Sequence, residues 1–176
     1  MIVVSGTKAI HKIIWIYLRE LYLKPQKIVV VDAANRFDPY FISKISLSHS
    51  ISPYIILENI LIARAFTPFQ LIKLLEKVKQ FKNIPFICLG INNLFEDENI
   101  SATYSWRIFK KAINIIKNFK NPSILTADNE ISNRGFIPFL EKESKIFIKE
   151  EKILKPKIKN GEKKLWEGQL HLLLQS

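Results

Sequence analysis

The sequence has few of the residues that build cross-links or metal centres. Cys88 is the only cysteine among 176 residues, so an intrachain disulfide and a cysteine-based metal cluster are both excluded. His11, His49 and His171 share no ligand spacing, and we predict no metal site and no cofactor. No apolar run reaches the roughly 20 residues that a membrane-spanning helix needs. Because Met1 leads directly into a strand-like segment without a basic signal region, we expect a cytoplasmic protein without a membrane partner.

Acidic residues are also in the minority. The chain has 27 lysine and arginine residues against 16 aspartate and glutamate residues, which gives a formal net charge of +11. Such a balance favours a polyanionic partner, most often nucleic acid. The alternative is a lysine-rich proteome, in which case the charge says nothing about partners. With 48% hydrophobic residues the chain can bury a sizeable core, and we predict a single domain over residues 1–176.

Two periodicities alternate along the chain. Short apolar runs predict β-strands, and apolar residues at every third or fourth position predict amphipathic helices. The predicted strands cover 1–5, 27–33, part of 58–65, 85–91 and 122–128, and the predicted helices cover 7–23, 39–46, 67–81 and 101–120. This alternation predicts an α/β fold with a mainly parallel central sheet. The strands at 1–5, 27–33, 85–91 and 122–128 should form its buried centre.

Two of the predicted helices have start signals. Thr67 is the expected N-cap of the helix over 67–81, and Pro68 occupies its first position. Ser101 is the expected cap of the helix over 101–120. The apolar face of that helix contains Trp106, Phe109, Ala112, Ile113, Ile116 and Phe119. Its polar face carries Arg107, Lys110 and Lys111, which are candidate DNA contacts, and the alternative is an ordinary solvated helix face.

The C-terminal part of the chain is basic and has a different pattern. The dipeptide Asn160-Gly161 between two strand-like segments predicts an antiparallel β-hairpin within a basic region at 142–166. This region holds further candidate DNA contacts, namely Lys155, Lys157, Lys159, Lys163 and Lys164, with Trp166 as a stacking ring. The alternative is that these lysines protect an exposed sheet edge.

A degenerate phosphate-binding motif follows the first predicted strand. In the segment SGTKAIHKII, Gly6 and Lys12 have the spacing of G-x-x-x-x-G-K-[ST], the loop that cradles nucleotide phosphates. His11 stands in place of the second glycine, and Ile13 stands in place of the hydroxyl residue that binds Mg²⁺. We therefore interpret Gly6 and Lys12 as a vestigial nucleotide-binding site.

Two segments further along resemble the RecA/RadA-type recombinase family. In VVVDAANRFDP (29–39), Asp32, Phe37 and Pro39 match the pattern I-D-T-E-x-x-F-x-P that follows the second strand of these proteins. The stretch ILENILIARAFTPFQLIKLLEKV (56–78) resembles the pattern L-x-N-I-x-x-A-R-A-F of archaeal RadA and its relatives. This second stretch is the most specific part of the resemblance.

The resemblance continues over about residues 1–150 in the correct order. The segment FICLGINNLF (86–95) stands where the family has its Walker B strand, and ILTADNE (124–130) stands where it has its V-T-N-Q strand. The resemblance implies a RecA-like three-layer core. It also implies two DNA-contacting loops after the fourth and fifth strands. The first loop is acidic here, and Arg134 is the one basic residue of the second, which makes it a further candidate DNA contact.

The departures from the family pattern all affect phosphoryl transfer. Ile13 replaces the metal-binding hydroxyl residue, Gly90 stands at the Walker B aspartate, and Ala34 stands at the glutamate that positions the attacking water. The resemblance therefore implies a protein that does not hydrolyse ATP.

We expect a non-catalytic recombinase paralog that binds DNA without strong sequence preference, a catalytically intact recombinase, or both. Its place would be in homologous recombination or DNA repair. The alternatives are a protein-interaction subunit without DNA binding and a weak nucleotide-binding protein. The oligomeric state stays open.

Overall fold

The structure is a computed structural model that describes residues 1–6, 26–131 and 134–149. The predicted helix over 7–23 and the predicted turn at Asn160-Gly161 lie outside the described residues. The strands are β1 (Ile2–Ser5), β2 (Ile28–Asp32), β3 (Ile60–Arg64), β4 (Phe86–Leu89), β5 (Ser123–Ala127) and β6 (Ile146–Lys149). The helices are α1 (Pro39–Ser48), α2 (Pro53–Leu57), α3 (Pro68–Val78), α4 (Ala102–Lys117) and α5 (Phe136–Glu143), with a 3₁₀ turn at Asn93–Phe95.

The described strands form one six-stranded sheet in the order β3-β2-β4-β5-β1-β6. Every neighbouring pair is parallel. The four inner strands are the four that the sequence predicts as the buried centre, and every residue of β2, β4 and β5 is buried. Continuous apolar runs suit these positions because a parallel sheet is covered on both faces.

Side chains along β2 alternate between two apolar clusters. Val29 and Val31 belong to the cluster that contains the buried residues of α3, α4 and α5. Ile28 and Val30 point to the opposite face and belong to the cluster that contains Ile42 of α1. Helices therefore cover both faces of the sheet. This architecture confirms the predicted α/β class and is consistent with a RecA-like three-layer core.

Of the two predicted N-cap residues, Thr67 makes a capping hydrogen bond and Ser101 does not. Thr67 caps α3, because its hydroxyl accepts a hydrogen bond from the backbone N–H of Gln70 at 3.2 Å, and Pro68 is the first helical residue. Ser101 occupies the N-cap position of α4, but its side chain makes no capping hydrogen bond. The predicted apolar face of α4 is confirmed at its centre, where Phe109, Ala112, Ile113 and Ile116 are buried.

The described start of the predicted hairpin region is not antiparallel. Lys142 belongs to the last turn of α5. The following strand, β6, pairs in parallel with β1, with Ile146 opposite Ile2. The rest of the region, including the candidate DNA contacts from Lys155 to Lys164, lies outside the described residues.

Candidate functional site

Ligands of α/β proteins usually bind at the carboxyl ends of the parallel strands. We call this end of the sheet the carboxyl edge. Gly6 directly follows β1 at this edge, and its backbone N–H donates to the Ala127 carbonyl at 2.9 Å. Its φ of +147° lies in a region that favours glycine. Gly6, the first glycine of the degenerate motif, therefore directly follows a strand at the carboxyl ends of the sheet. Lys12, the other residue of that motif, lies outside the described residues.

Gly90 and Ala34, the positions where the resemblance leads us to expect carboxylates, lie against each other. A Cβ atom added to Gly90 would come within 2.4 Å of the Ala34 Cβ and within 2.7 Å of the Asn93 side-chain oxygen. The φ of Gly90 is +62°, a left-handed value that also favours glycine. The end of β4 thus leaves no room for a carboxylate at position 90 unless the backbone or Ala34 moves.

Asp32, at the end of β2, is fully buried and has hydrogen-bond partners at both carboxylate oxygens. One oxygen accepts from the backbone N–H groups of Ala34 at 3.2 Å and Arg36 at 3.0 Å. The other accepts from the Phe37 N–H at 3.0 Å and lies 3.3 Å from Nε of Arg64. Asp32 therefore stabilises the turn after β2, which satisfies its charge locally.

A second buried carboxylate lies at the end of β5. The Asp128 side chain is 1% exposed and forms an ion pair with the guanidinium of Arg36. Asn92 holds the backbone of Asp128 on both sides, since its Nδ2 donates to the Asp128 carbonyl at 3.0 Å and its Oδ1 accepts from the Asp128 N–H at 2.9 Å. Arg36 follows β2 and Asp128 follows β5, with β4 between them in the sheet. This ion pair therefore passes over the carboxyl end of β4 and connects the ends of β2 and β5.

Other reactive groups near this edge are inert. Cys88 is fully buried in β4, and burial raises the pKa of its thiol far above the ordinary range, so the thiolate nucleophile does not form. Among the described residues, no group of three histidine, cysteine, aspartate or glutamate side chains is placed to hold a metal ion. Asp32, Arg36, Asn92 and Asp128 are hydrogen-bonded at this edge, whereas the buried side-chain oxygens of Ser5 and Asn93 have no hydrogen-bond partner.

Arg134, the predicted contact in the second DNA loop, makes structural hydrogen bonds. Its guanidinium donates to the carbonyls of Phe95 at 3.1 Å and Asp97 at 2.9 Å. Its own carbonyl accepts from the indole N–H of Trp106 at 3.1 Å. Arg134 therefore fastens the segment before α5 to the acidic segment after β4.

The predicted contacts on α4 are exposed and lie on its outer face. The Arg107 guanidinium carbon lies 4.7 Å from the centre of the Tyr104 ring, and Lys110 Nζ lies 5.6 Å from the centre of the Trp106 ring. Lys111 is exposed as well. These three side chains form one basic surface, whereas the candidates between Lys155 and Lys164 lie outside the described residues.

Two further exposed basic residues lie on the helix that packs against α4 and do not follow from the resemblance. Lys73 and Lys77 are exposed on α3, which packs beside α4. The apolar stripe of Leu71, Leu75 and Val78 is buried, so residues 73 and 77 face outward. The helical period of this stripe is the sequence signal that identifies them. We define the outer basic face as Lys73, Lys77, Arg107, Lys110 and Lys111.

The comparisons with known proteins give no family assignment. No protein-family model matches the chain, and no curated protein matches its sequence. In the part of the chain that the structure describes, no helix has the length and apolar character that crossing a membrane requires. Functional inference therefore depends on the chain's own residues and on their arrangement.

Proposed function

We propose that the chain is a non-catalytic, RecA-like accessory factor that acts in the cytoplasm in homologous recombination or DNA repair. It would bind DNA, a catalytically intact recombinase, or both. The observation that carries this proposal is the close approach of Gly90 and Ala34 at the carboxyl edge. These two positions correspond to the carboxylates that support metal and water in recombinases, and both lack a carboxylate.

The chemistry of phosphoryl transfer explains why this edge argues against ATP hydrolysis. The reaction depends on a metal ion and a positioned water molecule, each held by specific side chains. At the end of β4, the space for a carboxylate is closed by Ala34 and Asn93. Above the same strand, Arg36 is bound to Asp128 across the edge. The described residues at the carboxyl edge thus favour a structural role over a catalytic one.

The charge distribution supports a polyanionic partner. The outer basic face lies on two neighbouring helices, and Glu76 is the only acidic residue within α3 and α4. Phosphate groups bind such surfaces with release of counterions and without reading base sequence. This matches the DNA binding without sequence preference that the overall charge of +11 predicts.

A hydrolysis assay with purified protein tests the non-catalytic part of the proposal. We expect no ATP turnover above background and little thermal stabilisation by ATP with Mg²⁺, since a ligand that binds the native state raises its melting temperature. Turnover that disappears in Lys12→Ala would contradict the proposal. DNA binding is measured in parallel by anisotropy over a range of salt concentrations, with a steep loss of affinity expected as salt rises.

A specific observation also favours the protein-interaction subunit as a second candidate. β3 is an edge strand whose Ile62 side chain is 43% exposed, and Tyr54 of the neighbouring α2 is 74% exposed. The strand has no lysine or proline, the residues that usually protect an exposed edge. Capture of a recombinase by a protein that binds no DNA at low salt would favour this candidate over the first.

A further inference from the structure

Aromatic side chains gather at the amino-terminal ends of α3 and α4. Phe66 is 68% exposed and Phe69 is 52% exposed. The rings of Phe69 and Tyr104 lie 6.0 Å apart between centroids, and Arg107 covers the Tyr104 ring at 4.7 Å. We call Phe66, Phe69, Tyr104 and Arg107 the aromatic platform.

The aromatic platform is separate from the buried aromatic core. The rings of Phe95, Phe109 and Phe136 pack against one another beneath the same helices and are fully buried. Phe66 and Phe69, which are three positions apart in the chain, instead keep more than half of their surface in water. Neighbouring exposed rings of this kind mark surfaces that bind a ligand or partner.

The charged residues that follow the platform on α3 are the exposed Lys73 and Lys77, with the exposed Glu76 between them. Lys73 and Lys77 follow Phe69 by one and two helical turns, which places them about 6 and 12 Å further along the helix axis. Lys111 follows Arg107 by one turn on α4. A strand that reached the rings would therefore meet cations along its path.

Arg134 anchors the acidic segment of the neighbouring loop. Arg134 binds the carbonyl of Asp97 and directly precedes α5, so it fastens that segment on the α5 side of α4. Phe69 contacts Tyr104 on the α3 side. The platform and the acidic segment thus lie on different flanks of the same helix.

We propose that the aromatic platform and the outer basic face together bind single-stranded nucleic acid. Bases would stack on Phe66, on Phe69 and on the Tyr104–Arg107 pair, and phosphates would contact Lys73, Lys77 and Lys111. Stacking on aromatic rings needs bases whose faces are free, which a single strand offers and a duplex does not. The positive charge of the outer basic face favours a nucleic acid over a peptide segment as the ligand. This inference rests on the DNA-binding part of the proposed function and specifies its surface and its strand preference.

Fluorescence anisotropy with a labelled thymidine oligonucleotide, and with a duplex of the same length, tests the inference. The variant Phe66→Ala with Phe69→Ala should lose about tenfold in affinity for the single strand per ring removed. Its salt dependence should stay the same, because rings release no counterions. Lys73→Glu with Lys77→Glu should instead flatten the salt dependence. We expect the parent protein to prefer the single strand over the duplex.

A matched control lies on the opposite face of the sheet. Tyr40 and Tyr54 belong to α1 and α2 and are 85% and 74% exposed, so Tyr40→Ala with Tyr54→Ala removes two rings that are more accessible than those of Phe66 and Phe69. This variant should bind the oligonucleotide like the parent. Thermal melting of all variants checks that the exposed substitutions leave the fold intact.

Three outcomes would contradict the inference, and the measurements distinguish them from one another. Unchanged single-strand affinity in the Phe66 and Phe69 variant would overturn the inference and leave DNA binding by the protein in place. A changed oligomeric state of that variant in light scattering, with DNA affinity unchanged, would make the platform a protein interface and would also overturn it. Absence of any DNA binding by the parent at low salt would remove both the inference and the DNA-binding part of the proposed function.

Discussion

Replacing Gly90 by alanine tests whether the end of β4 has room for any side chain. Gly90 and Gly135 both have left-handed backbone conformations, with φ of +62° and +75°. A non-glycine residue in this conformation costs about 1–2 kcal/mol. Gly135→Ala should therefore lower the free energy of unfolding by about that amount, since the nearest atom to its new Cβ would be 3.9 Å away in Trp106.

Gly90→Ala should cost more, because it adds steric overlap to the conformational term. Its new Cβ would lie 2.4 Å from the Ala34 Cβ and 2.7 Å from the Asn93 side-chain oxygen. Overpacking a well-packed buried site costs about 1–3 kcal/mol. Together with the backbone term, we expect Gly90→Ala to lower the free energy of unfolding by about 2–5 kcal/mol.

Urea denaturation of the parent, the three single variants Gly90→Ala, Gly135→Ala and Ala34→Gly, and the double variant Ala34→Gly with Gly90→Ala measures these terms. Removal of the Ala34 Cβ abolishes the shortest contact, so the two substitutions should couple favourably by about 0.5–3 kcal/mol. Equal losses for Gly90→Ala and Gly135→Ala, with no coupling to Ala34, would show that position 90 has space for a side chain. The steric argument against a carboxylate there would then be wrong.

Three further changes test individual contacts. Arg36→Ala should lower the free energy of unfolding by about 1.5–3 kcal/mol in urea denaturation, because the buried Asp128 carboxylate loses its charged partner. Lys117→Met should raise the pKa of Glu143, which a hydrogen bond from Lys117 holds below its ordinary range, and NMR titration of the carboxyl measures the change. Because a lowered carboxyl pKa stabilises the folded state above the unfolded-state pKa, the parent should lose this contribution as pH falls through the lowered pKa, and Lys117→Met should lack it. Thr67→Ala removes the side-chain cap of α3 and should cost about 0.5–2 kcal/mol in the same urea assay.

Two of these changes have a control variant within the chain. Ser101 occupies the N-cap position of α4 without a capping hydrogen bond, so Ser101→Ala should cost clearly less than the Thr67 variant. Lys149 lies 3.9 Å from the carboxylate of Glu141, and Lys149→Met should leave the Glu143 titration unchanged. A loss below about 0.5 kcal/mol in Arg36→Ala, the size of an ordinary surface substitution, would mean that the ion pair contributes nothing to stability.

The inner strands were predictable because their sequence pattern follows from burial on both faces. The runs Ile28–Val31 and Phe86–Leu89 contain no charged residue, as the centre of a covered parallel sheet requires, and Asp32 follows only at the carboxyl end of β2. Local capping was partly predictable for a related reason. Asp38 accepts from the N–H groups of Tyr40 and Phe41 at the start of α1, and a cap or turn role is typical of aspartate before a proline.

Contacts between distant residues carry no such local signal. Arg36 and Asp128 are 92 positions apart, and only the strand order places them at the same edge. Arg134 is a second example of a residue whose contacts cannot be predicted from the sequence alone. Its charge is visible in the sequence, but the direction of its guanidinium depends on the carbonyls of Phe95, at the end of the 3₁₀ turn, and of Asp97, two residues beyond it.

The position of β1 in the sheet has a consequence for how the protein is made. Ile2 pairs with Ile124 on one side and with Ile146 on the other, so the strand translated first has its partners near the end of the described chain. At about 5–20 residues per second, those partners leave the ribosome on the order of ten seconds later. Meanwhile β2, β3 and β4 pair with one another alone. We therefore expect insertion of β1 between β5 and β6 to be the slow closing step of folding, because it needs the most distant contacts in the sheet.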